Sequence, residues 1–174
     1  GILTPLFNPN PEFKELRFGP VQHLKWKNSQ GIEAFGAIVI PTPPRHGDRY
    51  PLIVVQYRSR GFLRGGTGDE YPIQLFAAND FAVLSFSHPA PLSDVLPAKT
   101  REEADRKAME GWADRWSIEA SLETGVQHAI ATGTIDPRRI GLTGGSDGAT
   151  TAQFALLNSN LVTAVAIGTC CDEP

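Results

Sequence analysis

Two short apolar runs constrain the fold of this chain most: PLIVVQY at 51–57 and FAVLSFS at 81–87. Neither run alternates strictly between apolar and polar residues, which is typical of strands covered on both faces within a parallel sheet. The segment between them, YPIQLFAAND, has apolar residues at helical spacing and ends with a turn signal at Asn79. Together the three segments predict a strand–helix–strand crossover.

The rest of the chain continues this alternation of strands and helices. Its other predicted elements, in chain order, are a hairpin of VQHLKWKN and EAFGAIVIP, a long helix from about Thr100 to Thr132, a short strand in IDPRRIGLTG, a helix in SDGATTAQFALLNS and a buried strand in LVTAVAIGT. Strands that alternate with helices predict an α/β fold with a mostly parallel sheet and flanking helices.

The composition argues against several functional classes. The chain has 174 residues, 41% of them hydrophobic and 20% charged, with a net charge of −3, which predicts a soluble globular protein. It lacks a basic run that would neutralise nucleic-acid phosphates, and no apolar run approaches the roughly 18 residues of a membrane span. The cysteines, Cys170 and Cys171, are adjacent, which favours structural thiols over a disulfide or a metal site.

The sequence from Gly144 to Gly148 fits the G-x-S-x-G pattern, with Ser146 at its centre. A predicted strand leads into it and a helix rich in small residues leaves it, which is the context of a nucleophile elbow. In such an elbow the backbone N–H of Asp147 is one donor to the oxyanion. The alternative is an ordinary glycine-rich turn in which Ser146 caps the helix.

A nucleophilic serine needs a base and an acid that orients the base, and the usual chain order places both after the serine. The chain has four histidines, and all of them precede Ser146: His23, His46, His88 and His128. Of these, only His88, at the end of a predicted strand, is a candidate for an unconventional base. The simpler prediction is that this chain is incomplete and that the histidine and aspartate of a triad lie outside it.

Two stretches, NPEFKELRFGPVQHLKWKNSQGIEAFGAIVIP and IDPRRIGLTGGSDGA, resemble the catalytic domain of the prolyl oligopeptidase family of serine peptidases. The resemblance extends from about residue 10 to the end. It implies that residues 13–174 are the N-terminal portion of an α/β-hydrolase domain, and that residues 1–12 are a linker or the exit from a preceding β-propeller. It also implies that the hydroxyl of Tyr57 is the second oxyanion donor.

A further stretch, QYRSRGFLRGGTGDEYPIQLFA, is similar to the lasso peptide isopeptidases, a small branch of that family. This similarity implies hydrolysis of the isopeptide bond in a lasso peptide's macrolactam ring. Three arginines are the predicted substrate-binding residues: Arg58, Arg60 and Arg64. Asp69 or Glu70 could hold these arginines in place, and the loop could equally brace itself through such pairs.

Alternatives to isopeptide cleavage are an oligopeptidase that cuts α-peptide bonds, an esterase on the same scaffold, and a catalytically incomplete chain. The predicted reaction needs no metal ion and no organic cofactor. Its expected partners are a peptide substrate and the remainder of the catalytic domain, as a separate fragment or chain. The N-terminus does not resemble a signal peptide and lacks a starting Met, so the sequence does not decide the cellular compartment. The resemblance implies the cytoplasm or the periplasm of a bacterium.

Overall fold

The structure is a computed structural model, which describes the following residues: 4, 6–9, 11–43, 47, 49–57 and 71–168. Within them, six strands form one sheet: β1 (Val21–Lys27), β2 (Glu33–Val39), β3 (Tyr50–Tyr57), β4 (Ala82–Ser87), β5 (Ile135–Gly144) and β6 (Ala164–Ile167). The strand order is β1-β2-β4-β3-β5-β6. The pairs β1–β2 and β2–β4 are antiparallel, while β4, β3, β5 and β6 run parallel to one another.

Five α-helices are described: α1 (Ile73–Ala78), α2 (Leu92–Val95), α3 (Arg101–Met109), α4 (Ala113–Ala131) and α5 (Asp147–Asn158). Short 3₁₀ helices span Pro11–Glu15 and Glu110–Trp112. None of the helices in the described part of the chain is both long and apolar enough to cross a membrane.

Helices cover both faces of the sheet, and consecutive residues of β3 show how. Val54 points into a core cluster that includes residues of α4 and α5, whereas Val55 belongs to a second cluster with Ile73 and Ala77 of α1. Because side chains alternate across a strand, a strand covered on both faces has apolar residues at successive positions. The predicted α/β architecture, with its crossover from β3 through α1 to β4, is confirmed.

Two predicted elements differ from the structure. The long helix expected from Thr100 to Thr132 is divided into α3 and α4, because Gly111 (φ 58°) and Trp112 (φ 62°) adopt left-handed conformations that a right-handed helix cannot include. The strand predicted in LVTAVAIGT forms as β6, but it is not buried: Ile167 is 45% exposed. Within the described residues, β6 is the last strand on its side of the sheet.

Candidate active site

Ser146 connects β5 to α5 in a conformation that is unusual for a serine. Its φ is 55° and its ψ is −132°, and its side chain accepts no capping hydrogen bond from the first turn of α5. A serine that caps a helix normally has extended backbone angles and accepts a hydrogen bond from the second or third amide of the helix. The capping alternative therefore lacks support, whereas a strained strand-to-helix turn is the geometry of a nucleophile elbow.

Two glycines of the motif are closely surrounded by neighbouring atoms. A Cβ atom on Gly144 would overlap the carbonyl oxygen of Gly148, and one on Gly148 would lie 3.1 Å from Cβ of Tyr57. Gly145 is different, because among the described residues a Cβ there would meet only the Tyr71 hydroxyl, at 3.9 Å. The outer glycines thus allow the elbow to pack directly against the end of β3.

Tyr57 and Ser146 lie at the same edge of the sheet. The strands β3 and β5 are parallel neighbours in which Val55 pairs with Thr143, so their carboxyl ends lie at the same edge. This is the edge at which ligands bind in open α/β sheets. Tyr57, with φ 91°, is also left-handed. Such strained residues cost about 1–3 kcal/mol each and cluster at functional sites.

A cavity of about 440 Å³ adjoins this edge. Its lining residues are Tyr57, Ser87, His88, Pro89, Pro91, Asp114, Ile118 and Asp147. A wider, more apolar cleft of about 1050 Å³ shares His88 and Pro89 with it. The two residues predicted to stabilise an oxyanion, Tyr57 and Asp147, therefore line one cavity.

Although His88 lines both cavities, its Nε2 is engaged by a residue beneath the elbow. Its Nε2 lies 2.7 Å from Oε1 of Gln56, and Nε2 of Gln56 donates to the Gly148 carbonyl oxygen at 2.6 Å. Because the Gln56 amide group must donate to that carbonyl, its Oε1 faces His88, and Nε2 of His88 must carry the proton. The Tyr57 and His88 rings are adjacent, with centroids 5.2 Å apart.

The charge state of His88 follows from its burial. Burial lowers the pKa of His88 to about 4; the Asp147 carboxylate opposes this shift, while the Arg115 guanidinium adds to it. His88 is thus neutral at neutral pH, with Nδ1 3.7 Å from Oδ2 of Asp147. With one nitrogen bound to Gln56 and the other facing a carboxylate, His88 is poorly placed to take a proton from Ser146.

The carboxylate of Asp147 is bound by Arg115, which lies in the first turn of α4. The guanidinium donates to both carboxylate oxygens, and its Nη1 also donates to Oγ1 of Thr151 at 3.1 Å. The Thr151 hydroxyl in turn donates to the carbonyl oxygen of Asp147 at 3.3 Å. The side chain of Asp147 is therefore committed to α4, and only its backbone N–H is available as an oxyanion donor.

Gln56, Arg115 and Thr151 were not among the residues predicted for the site. Gln56 could have been predicted, because a polar side chain near the end of an otherwise apolar, buried strand needs hydrogen-bond partners inside the protein. Arg115 could not, since charged residues are ordinary on helices. The predicted substrate-binding arginines, Arg58, Arg60 and Arg64, lie outside the described residues, as do Asp69 and Glu70. Across the described ranges, His, Cys, Asp and Glu side chains form no group of three or more suited to a metal ion.

Comparisons with known proteins agree with this architecture. No family model matches the chain. The lasso peptide isopeptidase AtxE2 of Asticcacaulis excentricus is 42% identical over 173 residues, which is 99% of this chain and 25% of the relative. The apo structure of AtxE2 superposes with a TM-score of 0.85 and matches 99% of this chain and 26% of that one.

Two further structures extend the comparison. A serine-to-alanine variant of AtxE2 with Astexin3-dC4 bound, also 42% identical, has a TM-score of 0.84 and covers 97% of this chain and 26% of its own. The acylaminoacyl peptidase of Pyrococcus horikoshii, at 21% identity, has a TM-score of 0.68 over 95% of this chain and 26% of its own, which shows a shared fold alone.

The sheet order, the elbow and these similarities define an α/β-hydrolase fold. The chain spans about a quarter of the length of the relatives it matches, which agrees with the expected partial catalytic domain. It is a homologue of the lasso peptide isopeptidase AtxE2. The predicted resemblance to the prolyl oligopeptidase family, and within it to the lasso peptide isopeptidases, is thereby confirmed.

Proposed function

We propose that this chain supplies the nucleophile and the oxyanion hole of a serine hydrolase that cleaves amide bonds. The single observation that carries the proposal is the conformation of Ser146 between β5 and α5, at the carboxyl edge of the sheet: its backbone is strained, and its side chain makes no capping hydrogen bond. The homology to an isopeptidase supports the same chemistry. The proposed substrate is the isopeptide bond in the macrolactam ring of a lasso peptide.

In the proposed reaction, Oγ of Ser146 attacks the amide carbon and a histidine takes its proton. The tetrahedral oxyanion is stabilised by the backbone N–H of Asp147 and the hydroxyl of Tyr57, two residues that line the same cavity. The C–N bond then breaks, and the amine leaves with the proton from the histidine. Water attacks the acyl-enzyme, releases the side-chain carboxylic acid and restores the serine.

The histidine and its orienting acid are proposed to come from outside this chain. His88 is bound to Gln56 as described above, and His128 on α4 is exposed and lies beside Trp26, with ring centroids 6.3 Å apart. The outer strand β6 and the exposed Leu157 of α5 offer a surface on which the remainder of the catalytic domain can pack. The chain by itself is expected to be inactive.

The arginines Arg58, Arg60 and Arg64 are proposed to bind the substrate. They lie within the seven residues that follow Tyr57 in the sequence, and Tyr57 ends β3 at the proposed active-site edge. Guanidinium groups suit carboxylates and backbone carbonyls, both of which a threaded peptide carries. Residues 1–12 are proposed to be a linker from a preceding domain, and 13–174 to be part of the hydrolase domain.

The test is performed on the full-length protein. A threaded lasso peptide, a linear peptide of the same sequence and an ester analogue are each offered to the unmodified protein and to the variants S146A and S93A. Ser93 is a matched control, because its exposed hydroxyl accepts a hydrogen bond from Arg101 away from the elbow. Mass spectrometry is expected to show that the lasso peptide gains one water with the unmodified protein and S93A, but not with S146A.

The same proteins are treated with a fluorophosphonate, which labels only an activated serine. Labelling of the unmodified protein and S93A, but not of S146A, is the expected result. Preferential cleavage of the linear peptide would replace the isopeptidase assignment with that of an oligopeptidase, and preferential cleavage of the ester with that of an esterase. Absence of both cleavage and labelling would contradict the proposed hydrolase.

A further inference from the structure

The residue that follows the proposed nucleophile carries a negative charge. Asp147 lies in the first turn of α5, where the helix dipole stabilises a carboxylate. The same positive potential, however, is what an oxyanion at the adjacent backbone N–H would use. An uncompensated carboxylate at this position would therefore oppose the charge that develops in the transition state.

Arg115 compensates this charge at close range. Its guanidinium contacts both carboxylate oxygens of Asp147, and the side chain is only 20% exposed. The contact joins two helices, since Arg115 lies in α4 and Asp147 in α5. Thr151 completes the arrangement by accepting from Arg115 and donating to the Asp147 carbonyl oxygen.

The elbow is held from its other side by neutral groups. Gln56 of β3 binds the Gly148 carbonyl oxygen, and His88 binds Gln56. A strained conformation such as that of Ser146 persists only when its surroundings determine it from several directions. Of the side chains described as hydrogen-bonded to the elbow residues Asp147 and Gly148, Arg115 is the one that brings a positive charge.

We propose that Arg115 is a positioning residue of this hydrolase, which neutralises the Asp147 carboxylate and so keeps the oxyanion hole electrostatically favourable. The inference rests on the proposed function of Ser146. It assigns Arg115 two effects: it fixes the first turn of α5, and it removes a repulsion that acts mainly in the transition state. A pair with a purely structural role would affect folding stability but would not act selectively on the acylation step.

The experiment compares R115Q, R115K and the double variant R115Q/D147N in the full-length protein. Arg101→Gln is the matched control, because Arg101 also forms charged pairs, with Asp94 and Asp105, but on the exposed surface of α3. Two quantities are measured: the rate constant of fluorophosphonate labelling at saturating probe, and kcat and KM for an amide substrate. Circular dichroism and thermal unfolding report on folding.

We expect R115Q to slow labelling and kcat about 10- to 100-fold, with KM changed less than about twofold, because the lost effect acts on the transition state. R115K is expected to recover part of the rate, since it keeps the charge but loses the two-point geometry. R115Q/D147N is expected to react faster than R115Q, because removing the carboxylate removes the repulsion. R101Q is expected to match the unmodified protein.

Each contrary outcome has a distinct meaning. If the unmodified protein reacts and R115Q reacts equally fast, the inference about Arg115 is overturned while the proposed function stands. The same holds if the double variant is no faster than R115Q. If R115Q fails to fold, the double variant R115Q/D147N decides: a kcat close to that of the unmodified protein supports the inference, and a kcat lowered about 10-fold or more overturns it. An unmodified protein that does not react overturns both proposals.

Discussion

The side-chain amide of Gln56 donates a 2.6 Å hydrogen bond to the carbonyl oxygen of Gly148, and this bond connects the carboxyl end of β3 to the first turn of α5. Both atoms are buried, and Gln56 has no exposed surface. Since the other end of the amide faces Nε2 of His88, one side chain satisfies two polar groups on different elements. The proposed nucleophile elbow is thus supported by a buried polar residue near the end of an otherwise apolar strand.

Replacing Gln56 with Leu is expected to lower the free energy of unfolding by about 2–4 kcal/mol, because the Gly148 carbonyl and the His88 N–H each lose a buried partner. Urea unfolding measures the change. Gln127→Leu on the exposed face of α4 is the matched control and should stay within about 0.5 kcal/mol. A Q56L variant as stable as Q127L would show that the bond contributes nothing to stability.

Neighbouring glycines of the elbow should respond in opposite directions. Gly144→Ala places a Cβ against the Gly148 carbonyl, and the resulting strain is expected to cost about 1–3 kcal/mol of stability. In the described part of the chain, Gly145→Ala meets only an ordinary contact, and because alanine restricts the unfolded chain, it should be neutral or stabilise by up to about 1 kcal/mol. Thermal unfolding of both variants compares them, and equal losses of stability would refute the steric explanation.

Local signals explain which parts of this fold the sequence could predict. The runs at 51–57 and 81–87 show burial on both faces directly, and the G-x-S-x-G turn is a contiguous motif, so the crossover and the elbow were both predictable. The break between α3 and α4 was indicated in the sequence by a single glycine, Gly111. A glycine within a helical pattern is often tolerated, so it did not outweigh the flanking helical residues.

Contacts between distant segments explain what could not be predicted. Gln56 reaches Gly148 only because β3 and β5 are paired in the observed register, with Val55 opposite Thr143. Arg115 precedes Asp147 by 32 positions and looks like any other helical charge in the sequence. The supports of the elbow are tertiary, whereas the elbow itself is local, and a single sequence carries mainly local signals.

His88 is expected to make the protein less stable as the pH falls. Its pKa is about 4 in the folded chain and near 6.5 when unfolded, so the unfolded state binds more protons between these values. The free energy of unfolding that the neutral His88 contributes above pH 6.5 is lost progressively as the pH falls to 4, by about 3 kcal/mol in total. The H88Q variant keeps a donor for Gln56 but does not titrate, and urea unfolding from pH 4 to 7 should show a loss in the unmodified protein that exceeds the loss in H88Q. Identical pH profiles would contradict a buried neutral His88.

Glu119 is expected to have the opposite effect over an overlapping range. Its side chain on α4 is buried, at 2% exposure, and neither carboxylate oxygen has a hydrogen-bond partner in the described part of the chain. Burial, and then the neighbouring Glu123 carboxylate, raise the pKa of Glu119 to about 7. The folded state therefore binds more protons than the unfolded state between about pH 4.5 and 7, so stability falls as the pH rises through that window.

The variant E119Q removes this titration. At pH 8 it should be about 3 kcal/mol more stable than the unmodified protein, because it no longer holds a buried carboxylate, whereas at pH 4 the two should differ by less than about 0.5 kcal/mol. Glu123→Gln provides a second check, since removing the neighbouring charge should lower the pKa of Glu119 and shift the window to lower pH. Urea unfolding at the two pH values measures both effects. An E119Q variant whose stability relative to the unmodified protein does not change with pH would show that Glu119 ionises as an exposed carboxylate does.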